Sequence, residues 1–134
     1  MGLLLAAGFA AGAQAACELP HASAPNVRTA VQKAGAWPIS DEKCNFLRAN
    51  NLFLQVSGMA TVLSGVSVGW AEVSIVDQNN IRSDKSHAST KVDKTAGSID
   101  AANKLMVDAI RESINGLDFQ LAAREVAEYR RKAK

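Results

Sequence analysis

The stretch Leu52–Val76 constrains this chain more than any other, because it holds no Lys, Arg, Asp or Pro and one Glu, Glu72. Valine recurs at 56, 62, 66, 68, 73 and 76. Branching at Cβ stiffens χ1 and suits a pleated surface, so the stretch reads as extended backbone. In the first half, Leu52, Leu54, Val56, Gly58, Ala60 and Val62 alternate with Phe53, Gln55, Ser57, Met59 and Thr61. Such alternation is that of a half-covered strand. Ser64-Gly65 supplies a turn. The second strand, about 66–77, places Val66, Val68 and Trp70 on one face and then shifts phase to Val73 and Ile75. A bulge near Ala71-Glu72 or burial on both faces accounts for the shift.

Around this ribbon the pattern is helical. Asn26 is placed to cap a helix to Ala34 that Gly35 stops, and Ser40 to cap a second that carries Cys44, Phe46 and Leu47. Trp37-Pro38 lies between them and forces an extended residue before the proline. Asp77-Gln78-Asn79-Asn80 signals a tight turn. The polar run 81–94 fits either an edge strand or a loop, its charges discouraging unwanted pairing. Ser98 then caps a helix with Ile99, Ala102, Leu105, Met106, Ala109, Ile110 and Ile114 on one stripe, and Asn115-Gly116 ends it. Asp118 caps a last helix with Ala122, Ala123 and Val126 inward. The expected fold class is α+β, a small antiparallel sheet of two or three strands with two C-terminal and two short N-terminal helices on one face.

The first fifteen residues carry no charge and close on Ala13-Gln14-Ala15, a small-x-small site, so residues 1–15 read as a cleaved signal peptide and 16–134 as a single domain. The run departs from the usual pattern in having no Lys or Arg ahead of it. It is also shorter than the roughly 20 apolar residues a membrane span requires. Export makes a periplasmic or secreted bacterial protein the expected setting, and in an oxidising compartment Cys17 and Cys44 are expected to form a disulfide. Lipidation of Cys17 competes for the same sulfur, but Gln14 stands where a lipobox carries an aliphatic residue.

Chemistry is sparse. Gly65-Val66-Ser67-Val68-Gly69 matches G-x-S-x-G, but a nucleophile elbow needs a helix after the serine, and Trp70–Val76 reads as strand. Gly65 and Gly69 are better explained by a turn and a tight sheet contact. His21 and His87 are far apart, and Asp84, His87 and Asp93 match no metal-ligand spacing. No phosphate loop or cofactor motif is present in the sequence. A formal net charge of +2 gives no reason to expect nucleic-acid binding. The function expected is that of a non-catalytic, protein-binding accessory or inhibitor/immunity-type module, with another envelope or secreted protein as partner. A small serine hydrolase using Ser67 and a structural surface component are the alternatives. Candidate binding residues are Trp37, Asp84 and His87, and the uncovered face of the sheet is a further place for a binding surface.

Overall fold

A computed structural model describes residues 21–134. The chain runs β1 (His21–Ser23), α1 (Pro25–Ala34), α2 (Asp41–Ala49), β2 (Leu52–Leu63), β3 (Val66–Asp77), β4 (Arg82–Asp93), α3 (Ile99–Gly116) and α4 (Phe119–Lys132). The strands form one four-stranded sheet in the order β1-β2-β3-β4. β2, β3 and β4 are antiparallel neighbours, and β1 lies parallel to β2 with His21 opposite Leu54. The α+β class and the one-sided helices are as expected, but the sheet is mixed and has four strands. Pro20 and Pro25 flank β1 and make 17–25 look irregular, yet a three-residue strand needs only backbone groups to join an edge.

Capping residues set most of the helix boundaries. Ser40 Oγ accepts from Lys43 N at 3.3 Å, Ser98 Oγ from Ala101 N at 3.0 Å, and Asp118 Oδ1 from Leu121 N at 3.0 Å. Each satisfies an amide that the first helical turn leaves unpaired. α1 starts differently. Pro25 occupies its first turn after Ala24, and Asn26 is inside the helix, its Nδ2 donating to Gly58 O at 3.1 Å. Gly35, at φ +100°, closes α1.

β2 and β3 join through Ser64 and Gly65, at φ +50° and +76°, two left-handed residues that match the twist of a tight hairpin. Their ladder runs unbroken from Leu52–Asp77 to Leu63–Val66, so no bulge stands at Ala71-Glu72. The phase shift in β3 has another cause. Ser67, Gly69, Ala71, Val73 and Ile75 face the helices and are buried, whereas Val66, Val68 and Trp70 belong to the opposite face and are half-buried. The irregularity lies between β3 and β4, at Ser74 to Val76. There Ser83 Oγ accepts from Ile75 N at 3.2 Å and donates to Lys85 O at 2.8 Å.

The core is a single cluster under the sheet. Leu54, Val56, Val73 and Ile75 meet Met106, Ile110 and Ile114 of α3, with Val27, Leu47, Phe119 and Val126 from the other helices. Gly69 lets α3 approach: a Cβ there would stand 2.6 Å from Leu105 C and 2.8 Å from Ala102 O. The tight contact at this glycine is thus made to a helix. Ile99, read as part of the inward stripe, is 55% exposed at the start of α3. Gly116 does not take the left-handed conformation expected of a helix stop. It leaves room for the His87 ring, which a side chain at 116 would overlap.

Candidate interaction surface

All four helices lie against one face of the sheet, and the other face is covered by no element of the described residues. The register assigns its residues row by row. Starting at the β2–β3 turn, Leu63 is beside Val66, then Thr61 beside Val68 and Val92, then Met59 beside Trp70 and Thr90. These three rows contain no charged residue. Met59 is 51% exposed, Leu63 60% and Val92 51%. With strands about 4.8 Å apart and same-face rows nearly 7 Å apart, the rows span about 300 Å². The largest apolar patch on a monomeric protein is typically about 300–600 Å² and is often functional, so this one lies at the lower end of that range.

Beyond the apolar rows the face turns polar. Ser57, Glu72 and Ala88 form the next row, followed by Gln55, Ser74 and Ser86, and then Phe53, Val76 and Arg82, where Ser74 and Val76 are already buried by their neighbours. Its two charges neutralise each other: Arg82 Nη2 lies 2.8 Å from Glu72 Oε1. Beside Trp70, toward β1, a depression of about 370 Å³ is lined by Ala22, Ser23, Gln55, Ser57 and Gly58.

The sheet edges are less available than the face. β1 pairs with Leu54–Val56 of β2, and the Asn26 side chain occupies Gly58 O further along that edge. On the other edge, Glu125 Oε2 accepts from Asp84 N at 2.7 Å and Lys85 N at 3.1 Å. The remainder of β4 carries Lys91 and Asp93, charges that oppose strand addition.

The expected site residues do not come together. Trp37, in the α1–α2 connection, is partly buried and packs against the core. Asp84 is at the start of β4, where its Oδ2 accepts from the Tyr129 hydroxyl. That hydrogen bond, with a smaller contribution from burial, pushes the Tyr129 phenol up to about 12. His87 faces the helices opposite Val73, half-buried against Gly116, with Nδ1 lacking a hydrogen-bond partner among the described residues. Lys91, on the same side, pairs with Glu112 of α3 and holds that carboxyl below its ordinary value. Cys44 is buried on α2, and Cys17, its expected partner, lies outside the described residues, as does the expected signal peptide.

Ser67 is fully buried near the start of β3. Its one hydroxyl proton goes to Ala96 O, with Ser98 O also within reach at 3.1 Å, and Oγ accepts from Ser98 N at 3.0 Å, which ties β3 to the segment leading into α3. The only histidine of β4, His87, pairs six residues further along β3, at Val73, about 20 Å away.

Asp77 is the most constrained carboxylate. Its side chain has no solvent exposure; Oδ1 accepts from Asn79 N at 2.8 Å and Ile81 N at 2.9 Å, and Oδ2 from Arg130 Nε at 2.7 Å. Burial by itself would raise its pKa, but Arg130 and the two amides together outweigh that and hold it below the ordinary value. The group is structural, fastening the β3–β4 turn to the end of α4.

The residues that sequence reasoning did not single out are Met59, Leu63, Val66, Val68 and Val92. Their signal was the phase change in β3, which marks where apolar residues move from the covered face to the open one. Fold and surface together define a helix-backed sheet with one free face. No family model, curated protein or solved structure matches the chain.

Proposed function

We propose that this protein is a small exported component of the bacterial envelope that acts by binding another protein, as an accessory or inhibitor/immunity-type module, and not by catalysis. The observation carrying this reading is the charge-free apolar half of the open sheet face, centred on Met59, Val68 and Trp70. Exposing such a surface disfavours the isolated monomer, and a partner that covers it removes Met59, Leu63 and Val92 from water. The periplasmic or secreted setting comes from residues 1–15, and the Cys17–Cys44 bridge proposed here would tie the chain before β1 to α2.

Site-specific cross-linking tests the reading. A photoreactive residue replacing Met59 is expected to yield one discrete adduct in the periplasm, and Val68→Lys to abolish it. The same residue replacing exposed Gln120 on the helical side is expected to give none. Absence of any adduct from position 59, or equal adducts from both positions, would overturn the assignment of the surface.

A further inference from the structure

The outer edge of β2 is occupied as far as Gly58 and open beyond it. β1 pairs with Leu54–Val56, and the Asn26 amide donates to Gly58 O. From Met59 to Leu63 no strand of the described residues pairs with this edge. Gly58 O points to the edge, so alternation turns the N–H and C=O of Ala60 and Val62 the same way, while those of Met59, Thr61 and Leu63 point to β3. Unpaired donors and acceptors repeating about every 7 Å are the complement of another extended polypeptide backbone.

Edge strands ordinarily carry guards: charged side chains, proline, a bulge or a covering element. β4, at the opposite edge, has them, since Glu125 takes the N–H groups of Asp84 and Lys85, and Lys91 and Asp93 follow. Met59–Leu63 reads Met-Ala-Thr-Val-Leu, with no charge and no proline, and its ladder with β3 has no bulge. Exposure singles out the same segment. Of the five exposed large apolar side chains among the described residues, three stand on it, Met59, Val62 and Leu63. Met59 and Leu63 lie on the open face, whereas Val62, opposite Ser67, lies on the helical one. A partner resting on the open face alone would leave Val62 in water. A strand laid beside β2 puts side chains against both faces and covers all three.

From the unpaired backbone row, the missing guards and the exposure on both faces, we infer that the partner protein adds an extended, uncharged segment to the edge of β2 at Met59–Leu63, in line with β1. This names the part of the partner that meets the proposed binding surface, and it rests on that reading. β1 and Asn26 bound the free lane at one end, and the open stretch is about 17 Å long. Main-chain hydrogen bonds supply the affinity of such an addition, and alternate side chains its specificity. The flanking side chains are uncharged on both faces, so β-branched or aromatic residues fit beside them and charged ones do not.

Substitutions that close the edge and spare the fold test this. The N–H of residue 62 is not used by β3, so Val62→Pro removes an outward donor and keeps the ladder, as proline on an edge strand does. Val62→Lys puts a guarding charge on the helical side of the edge, away from the open face. Each is combined with the photoreactive residue at position 59, and urea unfolding confirms the fold of each. Both are expected to lower the yield of the adduct at least about tenfold, as for residues central to an interface. In the adduct isolated with the edge unaltered, the amides of Ala60 and Val62 are expected to exchange with deuterium at least about tenfold more slowly than in the free protein. Should Val62→Pro fail to fold, Val62→Lys supplies the comparison. An undiminished adduct in the folded edge variants, or amides that still exchange as fast as in the free protein, overturns strand addition and leaves the open face as the binding surface. An adduct to a second copy of this chain, or a link within one chain, overturns it too. No adduct from position 59 with the edge unaltered removes both readings.

Discussion

Replacing Gly69 by alanine is expected to be among the most damaging single-methyl changes in this protein. The added Cβ would lie 2.6 Å from Leu105 C, 2.8 Å from Ala102 O and closer still to Met106 N. An ordinary carbon contact is about 3.5–4.0 Å, so α3 must retreat by about 1 Å. The obstacle is helix backbone, which has no rotamer to move into. α3 buries Ala102, Met106, Val107, Ala109, Ile110, Ser113 and Ile114, and all of them would lift together. A gap of that size forfeits a quarter to a half of each dispersion well, and overpacking commonly costs about 1–3 kcal/mol. With the backbone as obstacle we take the upper end, about 3 kcal/mol. The lower chain entropy of unfolded alanine offsets only about 0.4–1 kcal/mol. The net loss, about 2–2.6 kcal/mol, would move a urea midpoint by roughly 1.3–1.7 M if m is about 1.5 kcal/mol/M. Gly65→Ala is the control. It meets nothing within 4 Å, and its φ of +76° limits the cost to about 1–2 kcal/mol. Urea unfolding followed by far-UV circular dichroism compares the two. If Gly69→Ala loses no more stability than Gly65→Ala, the close packing of α3 on β3 is refuted.

Other expectations follow from the polar contacts. Asp77→Asn keeps an acceptor for Asn79 N and Ile81 N but loses the charge facing Arg130, at a cost of about 2 kcal/mol near neutrality. Because the Asp77 pKa is depressed on folding, its contribution is present above the unfolded value of about 4 and lost as pH falls through the folded one, so wild type and variant should converge in acid-range urea titrations. Tyr129 is the single tyrosine, and its ultraviolet titration should have a midpoint near 12 that drops by at least one unit in Asp84→Asn. An unchanged midpoint in that variant would show that Asp84 is not the acceptor. Ser67→Ala should destabilise the fold by about 2 kcal/mol, because it strands Ser98 N and Ala96 O in a part-buried site; an unchanged thermal midpoint would contradict the hydrogen bonds assigned to it.

Much of this fold was legible because its signals are local. The Ser40, Ser98 and Asp118 caps, the Ser64-Gly65 turn, the Asp77–Asn80 turn and the two hairpin strands β2 and β3 depend on side chains within a few residues of the backbone they serve. Asn26 was misread because cap preference is only a local tendency. The helix starts two residues earlier, at Pro25 after Ala24, and the Asn26 amide reaches Gly58 on the sheet. His87 lies in a segment of polar composition, which gives no sign that its ring turns toward the helices. Alternation along β4 turns every second residue inward, whatever its polarity, and Gly116 leaves room for the ring. β1 gave no periodic signal because three residues are too few to have one.

The amino-acid order by itself determined the four helices and the β2–β3 hairpin, where most of them start and stop, and that one face of the sheet would be apolar enough to gather helices; it left 81–94 open between strand and loop and gave no sign of β1. Those properties follow from backbone sterics, short-range hydrogen bonds and the period of the hydrophobic pattern. Only the tertiary structure decided which apolar residues remain outside. Val66, Val68 and Trp70 are as apolar as Val73 and Ile75, and what separates them is the alternation of β3 relative to α3 and the strands it pairs with. It also decided that Ser67 serves as a buried tie and that Gly69 marks the approach of a helix. Burial is a relation between residues distant in the chain, so no local pattern specifies it.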